Sequence, residues 1–221
     1  MSALMRVANA LGEAIEARGE ARLALPGGRS AVSLMQALSE TAIDWSSVLV
    51  SLVDERAVGT SDSASNAKLV RDTLLQNQAA AASFIPLFDG ISAESSARSL
   101  NDSLEPLDVA ILGMGEDGHF ASLFPAVHPV PGLADGRLGY VATEAVGSPK
   151  LPRISMTCAH ILTASTILLL VSSEEKRQKV RLALEGEDPF NPISYLLSAP
   201  HPIHIVWPDG TVATALQGAF Q

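Results

Sequence analysis

Hydrophobic positions along the chain follow two alternating periods. Leu4, Val7, Leu11 and Ile15 recur at spacings of three and four, interleaved with Arg6, Asn9, Glu13 and Glu16. That pattern predicts an amphipathic helix, and Gly19 supplies its stop. Strand-like runs occupy residues 22–25, 48–53, 107–112, 167–171 and 203–207, most of them apolar on both faces as the strands of a parallel sheet are. Helical patterns fill the intervals at 30–40, about 63–76, about 93–104, 174–185 and a short stretch near 192–197. Strand and helix in alternation predict an α/β fold: three layers, with a mostly parallel, doubly wound, Rossmann-like sheet and helices on both faces. The Pro- and Gly-rich loops at 89–90, 125–136 and 147–152 lack the length and polar low complexity of a linker, so residues 1–221 are expected to form one domain.

Composition narrows the classes. Of 221 residues, 47% are hydrophobic and 18% charged, enough apolar material for a large core and unlike a disordered chain. The net charge of −9, from 15 Lys+Arg against 24 Asp+Glu, argues against a nucleic-acid partner. A bound anion must therefore be met by a local basic cluster. The single Cys158 cannot close an intramolecular disulfide, and its neighbours Ala159 and Ile161 predict a buried thiol in a reducing, cytoplasmic setting. No apolar run approaches the length of about 18 residues that a membrane-spanning helix needs, and the charge-interleaved N-terminus does not read as a signal peptide.

In such sheets ligands bind beyond the carboxyl ends of the strands, and unusual residues cluster there. After the first strand comes Pro26-Gly27-Gly28-Arg29-Ser30, either an ordinary βα turn or a backbone cradle for phosphate at a helix start. After the second comes Asp54-Glu55-Arg56, either a surface charge cluster or the carrier of a bidentate arginine grip. After the third, Gly113-x-Gly115-x-x-Gly118 superficially matches a dinucleotide fingerprint, but Pro125, Pro129 and Pro131 replace the long helix that motif requires. His119 stands in that loop two residues beyond Asp117, an arrangement suited to a general base. After the fourth, Ser172-x-x-Glu175 reads as a capping box, which sets Lys176 in the first helical turn; it either reaches solvent or meets an anion. His128, His160, His201 and His204 are scattered, and no Cys or His spacing suggests a metal.

With these segments in view, the sequence resembles the 6-phosphogluconolactonases, in the superfamily that also holds glucosamine-6-phosphate deaminase and ribose-5-phosphate isomerase. The longest match runs from Asp108 through Gly113-Met114-Gly115-Glu116-Asp117-Gly118-His119 to Pro125. Further matches are Leu25–Ser30, Asp54-Glu55-Arg56 with Ser65-Asn66, Pro152-Arg153-Ile154-Ser155 with Thr157, and Glu175-Lys176. The resemblance implies a carboxylic ester hydrolase that opens 6-phospho-D-glucono-1,5-lactone to 6-phosphogluconate, with no organic cofactor and no metal, and no obligate protein partner is inferred. It implies His119 as the base that activates water, with Asp117 beside it. It implies a phosphate held by Arg56, Arg153, Lys176 and the Gly27-Gly28 backbone, with Arg29, Asp54, Gly113 and Gly115 in the same substrate-binding set. The family's phosphate turn usually reads Ser-Gly-Gly-Ser-Thr-Pro; here Pro26-Gly27-Gly28-Arg29-Ser30-Ala31 leaves Arg29 either as a substitute contact or facing solvent. N–H groups of the glycine loop are the candidate oxyanion donors. The alternatives are a deaminase or isomerase on the same fold and a non-catalytic sugar-phosphate sensor. Against the first, Ala121-Ser122-Leu123 stands where deaminases carry an Asn-Glu-Pro segment; against the second, His119 is present.

Overall fold

A computed structural model describes residues 1–216 and the backbone of residues 219–220. The chain runs α1 (Ala3–Arg18), β1 (Ala21–Leu25), α2 (Val32–Ser39), β2 (Val48–Leu52), β3 (Asp54–Arg56), α3 (Asn66–Thr73), β4 (Ser83–Phe84), α4 (Ala93–Asn101) and β5 (Val109–Gly113). It continues through β6 (Tyr140–Thr143), β7 (Arg153–Met156), α5 (Cys158–Ile161), β8 (Thr166–Leu170), α6 (Glu174–Ala183), α7 (Ile193–Leu197), β9 (Ile203–Val206), β10 (Val212–Leu216) and β11 (Ala219–Phe220).

The five apolar runs form β1, β2, β5, β8 and β9, the centre of an eight-stranded sheet ordered β11-β10-β9-β8-β5-β1-β2-β4. All pairs from β9 to β4 are parallel, and only β10 and β11 run antiparallel. The fold is the expected α/β arrangement. Val109 to Leu112 of β5 are all buried, as burial on both faces requires. Helix α1 lies against β1, β5 and β8 through Val7, Leu11 and Ala14, and Gly19 ends it in the left-handed conformation with its N–H on the Ile15 carbonyl.

From β1 the chain moves outward to β2 and β4, then returns to place β5 on the other side of β1 and continues to β8 and β9. The winding reverses between β1 and β5, so the loops leaving their carboxyl ends diverge and open a crevice. Those loops carry Gly27-Gly28 and the glycine-histidine segment.

A second, three-stranded antiparallel sheet, β3-β7-β6, stands beside the first. The hydrophobic pattern does not predict it, because β3 is Asp-Glu-Arg and β7 begins with Arg153. Its register sets Arg56 opposite Arg153 and Asp54 opposite Ser155. The helix expected at 30–40 begins as a 3₁₀ turn, Arg29–Ala31. The capping-box assignment of Ser172 is corrected: Ser173 caps α6, its hydroxyl accepting the Lys176 N–H. Ser172 is one residue too early to reach that donor.

Among the described residues no helix is long and apolar enough to cross a membrane. Cys158 is buried, and that burial pushes its thiol up to about 12.

Candidate active site

A cavity of about 370 Å³ opens at the carboxyl ends of β1 and β5. Gly27, Gly28, Arg29, Asp54, Arg56, Gly113, Gly115, His119, Arg153 and Lys176 all line it, although they come from five separate segments. Asp117 stands behind His119, outside the lining. Asn66, Phe124, Ser148 and Ser172 also border the cavity; Asn66 and Phe124 lie inside segments that carry the family resemblance, whereas Ser148 has no local signal.

The glycine loop is a closed turn. Phe120, wholly buried, bridges to Met114, and the Gly115 N–H donates to the His119 carbonyl at 2.8 Å. A side chain at Gly115 would put its Cβ 2.2 Å from the His119 ring, so the imidazole folds back over a backbone that only glycine permits. His119 Nδ1 lies 2.5 Å from Asp117 Oδ1, and its ring packs on Phe124 with centroids 4.2 Å apart. Partial burial raises the Asp117 pKa, but the hydrogen bond and charge of His119 outweigh it and hold this carboxyl below its usual value. The expected oxyanion donors are partly corrected. The N–H groups of Gly115, Gly118 and His119 go to His119 O, Gly115 O and Asp117 Oδ1, so those three are already committed.

The Asp54-Glu55-Arg56 run splits by strand alternation, which sends successive side chains to opposite faces. Glu55 is 1% exposed, so the surface-cluster reading fails for it. Its carboxylate accepts the N–H groups of Arg56, Asn66 and Ala67 and the Ser65 hydroxyl, anchoring the start of α3 to β3. Burial nevertheless raises its pKa. Asp54 and Arg56 face the cavity. Arg56 Nη1 donates to Ala64 O at 2.7 Å and Asn66 Oδ1 at 2.9 Å. Asp54 accepts from Asn66 Nδ2 and from the Ser122 hydroxyl, the latter at 2.5 Å, and lies 3.8 Å from Arg153 Nη1.

Arg153 is 3% exposed. Burial lowers its pKa, Asp54 pulls the other way, and Arg56 adds to the lowering. Its Nη2 donates to Pro149 O, and the guanidinium lies 5.2 Å from the Phe124 ring centre. The Nε atoms of Arg56 and Arg153 are buried with no hydrogen-bond partner among the described residues. Lys176 Nζ donates to Ser172 Oγ at 2.9 Å, and the ammonium borders the cavity. Arg29 is exposed yet lines the mouth, so facing solvent and facing the site are not exclusive here. In a chain of net charge −9, four cations and the Asp54 carboxylate line one crevice, with Asp117 behind the imidazole, which favours an anion with a polar body.

Residues 1–209 match the sequence model of a family described as glucosamine-6-phosphate isomerases/6-phosphogluconolactonase. A 6-phosphogluconolactonase of Mesorhizobium japonicum is 40% identical over 209 residues, covering 91% of this chain and 87% of that protein. One from Pseudomonas aeruginosa is 39% identical over 206 residues, covering 90% and 86%. The crystal structure of a 6-phosphogluconolactonase from Shewanella baltica superposes with a TM-score of 0.84 at 37% identity, covering 92% of this chain and 90% of that one. Long, nearly full-length similarity of this kind joins the geometry of the cavity in one conclusion: the chain belongs to the glucosamine-6-phosphate isomerase/6-phosphogluconolactonase family.

Proposed function

We propose that this chain hydrolyses 6-phospho-D-glucono-1,5-lactone to 6-phosphogluconate, the second step of the oxidative pentose phosphate pathway. The observation that carries the reading is the His119–Asp117 pair on one wall of a cavity whose other walls bear Arg29, Arg56, Arg153 and Lys176. The cations take the dianionic phosphate with the Gly27-Gly28 backbone, and Asp54 orients Arg153 while leaving room for sugar hydroxyls. Held by that remote charge, the lactone carbonyl presents itself to the imidazole.

His119 protonated on Nδ1 donates to the Asp117 carboxylate and keeps Nε2 as a proton acceptor. Nε2 takes a proton from water as the oxygen attacks the acyl carbon, giving a tetrahedral oxyanion and an imidazolium. Collapse breaks the bond to the ring oxygen, which receives the proton from the imidazolium. The new carboxylic acid then ionises to solvent. Asp117, its carboxyl held below its usual pKa by the His119 hydrogen bond and charge, stabilises the imidazolium between the two transfers.

The same reading treats residues 1–221 as one domain, supported by a single continuous hydrophobic cluster reaching from Val7 to Ala215. It takes a small sugar-phosphate lactone as the partner and the cytoplasm as the setting of a metabolic hydrolase. The test is proton release from freshly generated lactone, corrected for spontaneous opening. Rate is expected to fall at least about 10²-fold in His119→Ala, and equal rates in the two proteins would remove the imidazole from the mechanism.

A further inference from the structure

The loop between α6 and α7 takes no part in the cavity, yet it grips the histidine loop from behind. Ile193 N–H, at the start of α7, donates to the Gly118 carbonyl at 2.9 Å. Two residues earlier, Asn191 is 3% exposed. Its Nδ2 donates to the Lys179 carbonyl of α6 at 3.3 Å, and its Oδ1 is buried with no hydrogen-bond partner among the described residues. That oxygen lies over Gly118: a Cβ built on Gly118 would be 2.0 Å from it. Gly118 is in the left-handed region, φ +84°, so the only group it presents toward the amide is a Cα hydrogen, which can donate weakly to a carbonyl oxygen.

We infer that Asn191 is a positioning residue that ties helix α6, whose first turn bears Lys176, to the Gly118 backbone next to His119, and so fixes the separation between the charge-holding end of the cavity and its imidazole. One amide reaches both partners. Its NH₂ end is fixed to a carbonyl one turn along from Lys176, and its oxygen bears on the residue before His119. Removing the amide frees the two elements to shift relative to each other without disturbing either ligand-facing group. Displacements on the order of 1 Å at a reacting group change rates by about 10²-fold, whereas phosphate contacts common to ground and transition states survive.

This inference rests on the proposed lactonase mechanism for its kinetic readout, so the test has a second one that does not. In Asn191→Ala, kcat is expected to fall at least about tenfold with KM changed less than about threefold. In protein labelled with ¹⁵N-histidine, the His119 ring resonances are expected to leave the single Nδ1-protonated pattern of the wild type for an average of tautomers. Asn191→Ser, smaller but polar, serves if the alanine variant does not fold. Unchanged His119 resonances and unchanged kcat in a folded variant overturn the inference, as does a loss of kcat that only tracks the unfolded fraction. If the wild type has no lactonase activity, the mechanism fails, and the histidine resonances alone decide the tie.

Discussion

Arg56 and Arg153 are register partners across the β3–β7 ladder. Like charges directly opposite one another weaken a sheet, and here one of the pair is 3% exposed. Asp54 offsets part of the repulsion at 3.8 Å from Arg153, and an anion between the guanidinium groups would offset the rest. Inorganic phosphate is therefore expected to raise the melting temperature of the wild type and to do so less than half as well in Arg56→Ala. The same substitution is expected to raise KM more than it lowers kcat, as contacts shared by ground and transition states do. A full phosphate shift in the variant would end this account of the pair.

Asp117→Asn keeps the shape of the partner of His119 but removes its charge. The amide offers either end to Nδ1, so the tautomer is no longer fixed and the imidazolium loses its counter-charge. Activity is expected to fall roughly 10- to 100-fold, less than in His119→Ala. The folded carboxyl titrates below its usual value, so its contribution to stability is present above the unfolded pKa of about 3.9 and is lost only as pH falls below that. Wild type is thus expected to unfold at higher urea than Asp117→Asn at pH 5, with the difference shrinking as pH falls below about 3.9; an equal difference at both ends of that range would end this account of the carboxylate.

Glu55 is the buried carboxylate most heavily used by backbone donors. In Glu55→Gln an NH₂ group must face at least one N–H, leaving buried donors unpaired. Unfolding in urea should report a loss of about 1–3 kcal/mol, even though the raised pKa shows that the charge itself is unwelcome there. A variant as stable as the wild type would mean that desolvation dominates the site.

Burial lowers the pKa of His160, whose ring lies 5.5 Å from that of Tyr140. A histidine kept neutral by the fold contributes stability above its unfolded pKa of about 6.5 and loses it as pH falls through the folded value. Thermal stability is expected to decline from pH 7 toward pH 5, and less steeply in His160→Phe. Parallel pH profiles for the two proteins would place the acid sensitivity elsewhere.

The large sheet was legible because its strands must be apolar on both faces, a pattern visible in Leu107 to Leu112 without any tertiary knowledge. The small sheet was not. Asp54 and Glu55 are buried, and Arg56 half-buried, by partners that lie 10 residues or more away along the chain, such as Asn66 and Ser155, so their local sequence reads as solvent-facing charge. The candidate site was legible to the extent that its residues sit at strand ends: Gly27, Gly115, His119 and Lys176 follow β1, β5 and β8. Arg153 entered only through family resemblance, since a β7 beginning with an arginine has no apolar periodicity to announce it. The cap of α6 was misplaced by one residue because Ser172 and Ser173 are chemically alike and only the backbone turn separates them.

The two sheets supply different halves of the cavity. Arg56 and Arg153 come from the small one, while the imidazole, the lysine and Arg29 hang on loops of the large one. A lineage can therefore retune which charged tail it accepts by altering β3 and β7, leaving the proton-handling apparatus mounted on β5 unaltered.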